Sequence, residues 1–183
     1  MFAKNYYYLI SSLPALELEK EPHIDSEQFL DMAARELPES SCQKLARIKL
    51  VPGWLSSCQV EAQWQEWETY LRNLLVWRRC HHSGCESAHH WIRPETEVFP
   101  TIIRTVDEAV SEETPLAREK ILDQLRWSRL DDLQTGHYFD FETLAIYRLR
   151  LLLAEKWRDH DTKRGREAFD GLIEHLLNQA ATI

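Results

Sequence analysis

Apolar residues recur along this chain at three- and four-residue intervals, the spacing that gathers side chains on one face of an α-helix. The clearest run is Val60, Trp64, Trp67, Leu71, Leu74 and Leu75. It predicts one long amphipathic helix that continues to about His81 or His82 and stops at Gly84, with Ser56 and Gln59 at capping-box spacing before it. Upstream, the short apolar run Tyr6 to Ile10 has no decisive period and is read as a helix closed by Pro14. Asp25 or Ser26 is placed to cap a helix that turns Phe29, Leu30, Ala33 and Leu37 inward and ends at Pro38. A further short helix is expected from about Ser40 to Leu50, before Pro52 and Gly53 break the chain.

The pattern lapses from Gly84 to Pro100, where Pro94 and Pro100 mark a loop or hinge. It resumes with Ile102, Ile103, Val106, Ala109 and Val110. Thr114 and Pro115 then supply an N-cap and a first-turn proline for a helix carrying Leu116, Leu122, Leu125 and Trp127. Gly136 closes that helix, and Asp140 is placed to cap a long one through Trp157. Asp161 or Thr162 opens a last helix with Phe169, Leu172, Ile173, Leu176 and Leu177 inward. The expectation is an all-α fold of about seven or eight helices in an irregular bundle. Residues 1–183 form one helical domain, and the 84–100 segment is where it would divide into two helical sub-units.

Composition supports that reading. Five glycines in 183 residues, with 44% hydrophobic and 28% charged residues, suit a helical chain that buries a real core without metals or disulfides. The net charge of −8 argues against nucleic acid as a partner, because no broad basic face is available to displace counterions. The local basic cluster Arg72, Arg78 and Arg79 reads first as a solvated helix face. No stretch approaches the length of a membrane-spanning helix and no export signal is evident, so membrane association is expected to run through protein contacts. The four cysteines read as reduced thiols.

Candidate chemistry is sparse. The segment Cys80 to His90 holds several possible zinc ligands, and Cys80, His81, Cys85 and His89 could supply the four a tetrahedral site needs. The cysteines, however, lack a second paired motif, and adjacent histidines on a helix diverge by about 100°. The preferred reading is a histidine-rich helix end that complements the helix dipole. Glu66 with Glu68, and Asp131 with Asp132, are carboxylate neighbours of the kind common on solvated helices. There is no nucleophile elbow, phosphate loop or metalloprotease helix. No cofactor, small-molecule substrate or catalytic residue is therefore assigned. Tyr6, Tyr7 and Tyr8 are expected to pack in the core rather than to present rings to a partner.

Three stretches carry a resemblance: Asn5 to Pro14, the helical step Glu68 to Leu75, and Ile146 to Arg150 followed by Trp157 and Gly165. Together they resemble an uncharacterised bacterial family encoded beside V-type ATPase genes. That family is distantly similar to the C-type subunit of V/A-type ATPases, which is a helical funnel coupling rotor stalk to membrane ring, although this chain is much shorter than that three-unit protein. The resemblance implies a non-catalytic helical subunit or accessory factor with a coupling or assembly role. It would be cytoplasmic, held at the inner face of the membrane through other ATPase subunits. Arg72, Asn73 and Arg78, in and beside the Leu-Arg-Asn step, are the interaction candidates. The alternative is a small zinc-binding enzyme or regulator built on the Cys80–His90 stretch.

Overall fold

In a computed structural model, which describes residues 3–84, 92–95 and 97–158, the chain is all-α. The described helices are α1 (Ala3–Ser12), α2 (Ser26–Glu36), α3 (Glu39–Arg47), α4 (Gln59–Ser83), α5 (Ile103–Ser111), α6 (Pro115–Gln134) and α7 (Phe141–Arg158), with a single 3₁₀ turn at Pro100–Ile102 ahead of α5. No strand occurs among the described residues. The helix expected after Asp161 lies outside them.

Local chemistry sets the ends. The Asp25 carboxylate accepts from the Gln28 backbone N–H at 2.8 Å while the Gln28 amide oxygen accepts from the Asp25 N–H at 3.1 Å, a reciprocal capping box. Thr114 Oγ1 accepts from Ala117 N–H at 3.2 Å, with Pro115 in the first turn. Asp140 Oδ1 accepts from both the backbone N–H and the hydroxyl of Thr143. Gly84 follows α4 in the left-handed region at φ +66°, and Gly136 takes φ +90° after α6, conformations that a side chain resists.

The start of α4 departs from expectation. Ser56 and Gln59 do not form the capping box; Cys58 occupies the N-cap without a side-chain hydrogen bond. Glu61, in the first turn, reaches back with its carboxylate to the Ser57 backbone N–H just ahead of the helix, and its negative charge is favourable at a helix N-terminus.

Packing is organised around α7. Leu144, Ala145, Ile146, Leu149, Leu151, Leu153 and Ala154 are all buried, together with Arg148, so this helix is covered nearly all round. It packs against α1, α2, α3, α4 and α6, the position of a central helix. The buried face of α4 (Val60, Trp64, Trp67, Leu71 and Leu75) joins Phe29 and Ala33 of α2, Leu45 of α3 and Leu130 of α6 in one continuous core. Trp64 and Trp67 stack at 5.7 Å between ring centroids, within the range where aromatic pairs add to simple burial.

Two apolar expectations fail. Leu116 is half exposed on the first turn of α6, and Tyr7 and Tyr8 are exposed on α1, which buries Leu9 instead. A ten-residue helix against one neighbouring surface can hide only one stripe, and here Leu9 lies on it.

Candidate functional site

Within the stripes that build the core lie charged residues at the same helical spacing. Glu61, Trp64, Glu68, Leu71 and Leu75 form one buried line on α4, and Asp123, Arg126, Leu130 and Leu133 form one on α6. Side chains three and four residues apart share a face, so the same periodicity that buries the leucines buries these charges. Glu68 is only 1% exposed and Asp123 is fully buried.

The charges meet in a clamp. Arg126 reaches from α6 to α4 and donates to Glu68 through Nε at 3.0 Å and Nη2 at 3.1 Å. Its Nη1 donates to Asp123 at 2.6 Å. Arg72, one turn beyond Glu68, adds Nε to Glu68 Oε1 at 2.7 Å. From α7, Lys156 Nζ lies 2.7 Å from Asp123 Oδ2 and also pairs with Glu119, and the Trp157 indole N–H donates to Asp123 at 2.9 Å. Glu68, Asp123 and Glu119 are thus matched by Arg72, Arg126 and Lys156, and three helices are locked by complementary charge. Burial works against the Arg126 charge, but Glu68 and then Asp123 outweigh it and raise its pKa above the ordinary value. Burial would likewise raise Glu119, yet the Lys156 hydrogen bond, the Lys156 charge and the nearby Arg126 and Arg79 hold it below its ordinary value.

Beside the clamp opens a cleft of ≈ 390 Å³ lined by Arg72, Asn73, Arg79, Arg93, Glu119 and Arg126 among others. Asn73 belongs to its wall. Expected on an interaction surface, it is instead 3% exposed, because its side-chain oxygen accepts from the Arg93 N–H at 3.0 Å and its amide donates to the Arg93 carbonyl at 2.8 Å. It staples the 92–95 segment to α4. Arg93 carries the tie further by donating to the Pro52 carbonyl at 3.0 Å. The remaining interaction candidates are also engaged. Arg72 holds the buried Glu68, and Arg78 makes a two-pronged pair with Asp107 of α5, Nη2 to Oδ2 at 3.0 Å.

Of the zinc candidates, Cys80 is half-buried and His81 exposed in the last turns of α4, while Cys85 and His89 lie outside the described residues. The Glu66 and Glu68 neighbours separate onto different faces, Glu66 exposed and Glu68 buried. Asp131 pairs with Arg150 at 2.6 Å. Burial pushes the Cys42 and Cys58 thiols up, away from the nucleophilic thiolate. Elsewhere, His137, Asp140 and Glu142 bring three potential metal donors together, but Asp140 already caps α7 and pairs with His137 Nδ1 at 2.6 Å.

The surface carries a different signal. Tyr7 and Tyr8 of α1 and Tyr138 and Phe139 of the α6–α7 turn are each at least half exposed. Tyr7 packs on Phe139 at 4.9 Å and edge-on to Tyr8 at 5.8 Å between centroids, so rings from two distant parts of the sequence form one aromatic patch. No described helix is long and apolar enough to cross a membrane.

Fold and site thus define an all-α protein whose buried polar groups serve mainly to lock helices and which exposes one patch of aromatic rings, Tyr7, Tyr8, Tyr138 and Phe139. Residues 94–180, somewhat under half of the chain, match a family described as a protein of unknown function (DUF2764). That match takes in the 3₁₀ turn, α5, α6 and α7, and with them Arg126, Asp123, Lys156, Tyr138 and Phe139. No curated protein and no solved structure matches the chain.

Proposed function

We propose that this chain is a non-catalytic helical subunit or accessory factor of a V/A-type ATPase, with an assembly or coupling role. The observation that carries the reading is the patch of Tyr7, Tyr8, Tyr138 and Phe139. Large aromatic side chains concentrate the binding energy of protein interfaces, and contiguous exposed apolar surface is unusual on a protein that works alone. Tyr7 and Tyr8 also stand in the Asn5 to Pro14 stretch, one of the three on which the resemblance to the ATPase-linked family rests. There the residues that resemble that family and the residues offered to a partner coincide.

The charged clamp fits this role as support, since an interface held on a rigid scaffold loses less ordering entropy when it binds. Affinity-tagged protein recovered from its native cell should bring V/A-type ATPase subunits with it. Tyr7→Ala with Phe139→Ala should remove them while the thermal melting point stays close to that of the parent. Recovery of the parent free of ATPase subunits, with the patch intact, would refute the assignment.

A further inference from the structure

The connection between α3 and α4 is unlike the rest of the surface. Trp54 is 96% and Leu55 87% exposed, with Val51 half exposed beside them. Lys44, Arg47 and Lys49 stand just before them, all exposed, and none makes an ion pair among the described residues. Between Glu39 and Glu61 the chain has no carboxylate at all, in a protein with 30 acidic residues and a net charge of −8. Glu61 itself is buried against the Ser57 N–H. One surface region therefore combines three unpaired cations with two almost wholly exposed apolar side chains.

The loop is also held in shape. Trp64 Nε1 donates to the Leu50 carbonyl at 3.3 Å, Arg93 to Pro52 at 3.0 Å and Gln65 to Leu55 at 3.1 Å. With the backbone fixed at three carbonyls, Trp54 and Leu55 are displayed outward and do not collapse onto the protein.

From this we infer that the Lys44–Leu55 region docks directly on an anionic phospholipid surface, with Trp54 and Leu55 entering at headgroup depth and the three cations facing lipid phosphates. Tryptophan favours the membrane–water boundary because its ring is apolar and its N–H polar. Cations beside an apolar prong add attraction to a negative leaflet. A protein partner could also accept a tryptophan, but lysine is depleted at protein interfaces, and two of the three cations here are lysines. At a lipid surface lysine serves as well as arginine. Such contact needs no spanning helix. It stands apart from the ATPase proposal, because protein-free vesicles test one and native co-purification the other.

The full chain should co-sediment with vesicles made of equal parts phosphatidylcholine and phosphatidylglycerol, and not with phosphatidylcholine alone. High salt should weaken the binding. Combined Lys44→Glu, Arg47→Glu and Lys49→Glu should lower partitioning by roughly a hundredfold, since each cation near an anionic surface multiplies affinity severalfold. Trp54→Ala with Leu55→Ala should abolish the blue shift of tryptophan emission on binding. Circular dichroism melts of both variants should match the parent, because every substituted residue is exposed. The inference is overturned if the parent ignores anionic vesicles, or if folded variants bind them as the parent does. It is equally overturned if the variants lose only a protein partner.

Discussion

Arg126 on α6 grips Glu68 on α4 through two nitrogens, at 3.0 and 3.1 Å, while its third nitrogen holds Asp123 at 2.6 Å. Nearly all of this lies out of water. A buried ion pair is weak evidence of net stabilisation, since desolvation offsets much of the attraction, but breaking one leaves a charge stranded. The arrangement therefore specifies how α4, α6 and α7 meet more than it adds to total stability.

Replacing the guanidinium tests this. Arg126→Met should destabilise the fold by about 3 kcal/mol, the lower end for breaking a buried pair, because Arg72 and Lys156 still neutralise part of the stranded negative charge. Arg126→Lys should fall between parent and Met, since it keeps the charge but loses the fork that meets both Glu68 oxygens. Denaturant unfolding of the three proteins measures the order. Equal stability of Met and parent would show the clamp to be inert.

Much of this architecture is legible in the sequence, and the portion that is not has a physical cause. Asp25, Thr114 with Pro115, Asp140, Gly84 and Gly136 announce helix ends because capping chemistry is local. Glu68 looks like a surface carboxylate because its buried partner Arg126 lies 58 residues away, and Asp123 looks like one because Arg126 three residues on makes an ordinary exposed helical pair by spacing alone. Yet a signal exists: Glu68 stands four after Trp64 and three before Leu71, in the register of the buried stripe. Arg126 likewise stands four before Leu130. A charge in phase with the core face is the mark of a buried pair, whereas Asn73 and the Trp54 prong depend on how loops fold back and leave no such periodic trace.

Acid should loosen the clamp in a defined direction. Glu119 titrates below its ordinary value of 4.5 in the folded protein, as does Asp140 below 3.8. A carboxylate with a depressed folded pKa contributes stability that is complete above its unfolded pKa and is lost as pH falls through the folded one. The urea midpoint should therefore drop as pH is lowered from about 5 to about 3. Glu119→Gln should show a shallower drop over that window, and an unchanged slope would mean that Lys156 contributes nothing through Glu119.

At alkaline pH the sign reverses. Burial pushes the Tyr147 phenol up to about 12, and its hydroxyl donates to the Pro14 carbonyl at 3.0 Å, fastening the α1–α2 connection to α7. The folded state favours the neutral phenol, so this contribution is complete below the ordinary value of 10.0 and is lost as pH rises from there through about 12. Ultraviolet titration should show one tyrosine ionising late, and Tyr147→Phe should remove that step. The same substitution should cost about 1 kcal/mol, the net worth of one neutral hydrogen bond.

Arg72 and Arg78 both lie on α4, and the structure gives them opposite weights. Arg78 pairs with Asp107 where both side chains are more than one-third exposed, so solvent and salt screen the attraction and Arg78→Ala should cost less than about 1 kcal/mol. Arg72 is itself 43% exposed along its side chain, but the carboxylate it holds is 1% exposed. Its removal leaves Glu68 to Arg126 alone, and Arg72→Ala should cost about 1.5–3 kcal/mol, the range for a hydrogen bond to a charged group. Raising salt should narrow the gap between Arg78→Ala and the parent while leaving the Arg72→Ala deficit in place, because the Debye screening that reaches an exposed pair does not penetrate to Glu68. Chemical unfolding at low and high ionic strength reads both effects. If Arg72→Ala unfolds with the parent at either salt concentration, the arginine is surplus to the clamp and free to serve a partner, and the division between a structural arginine face and an aromatic docking patch fails.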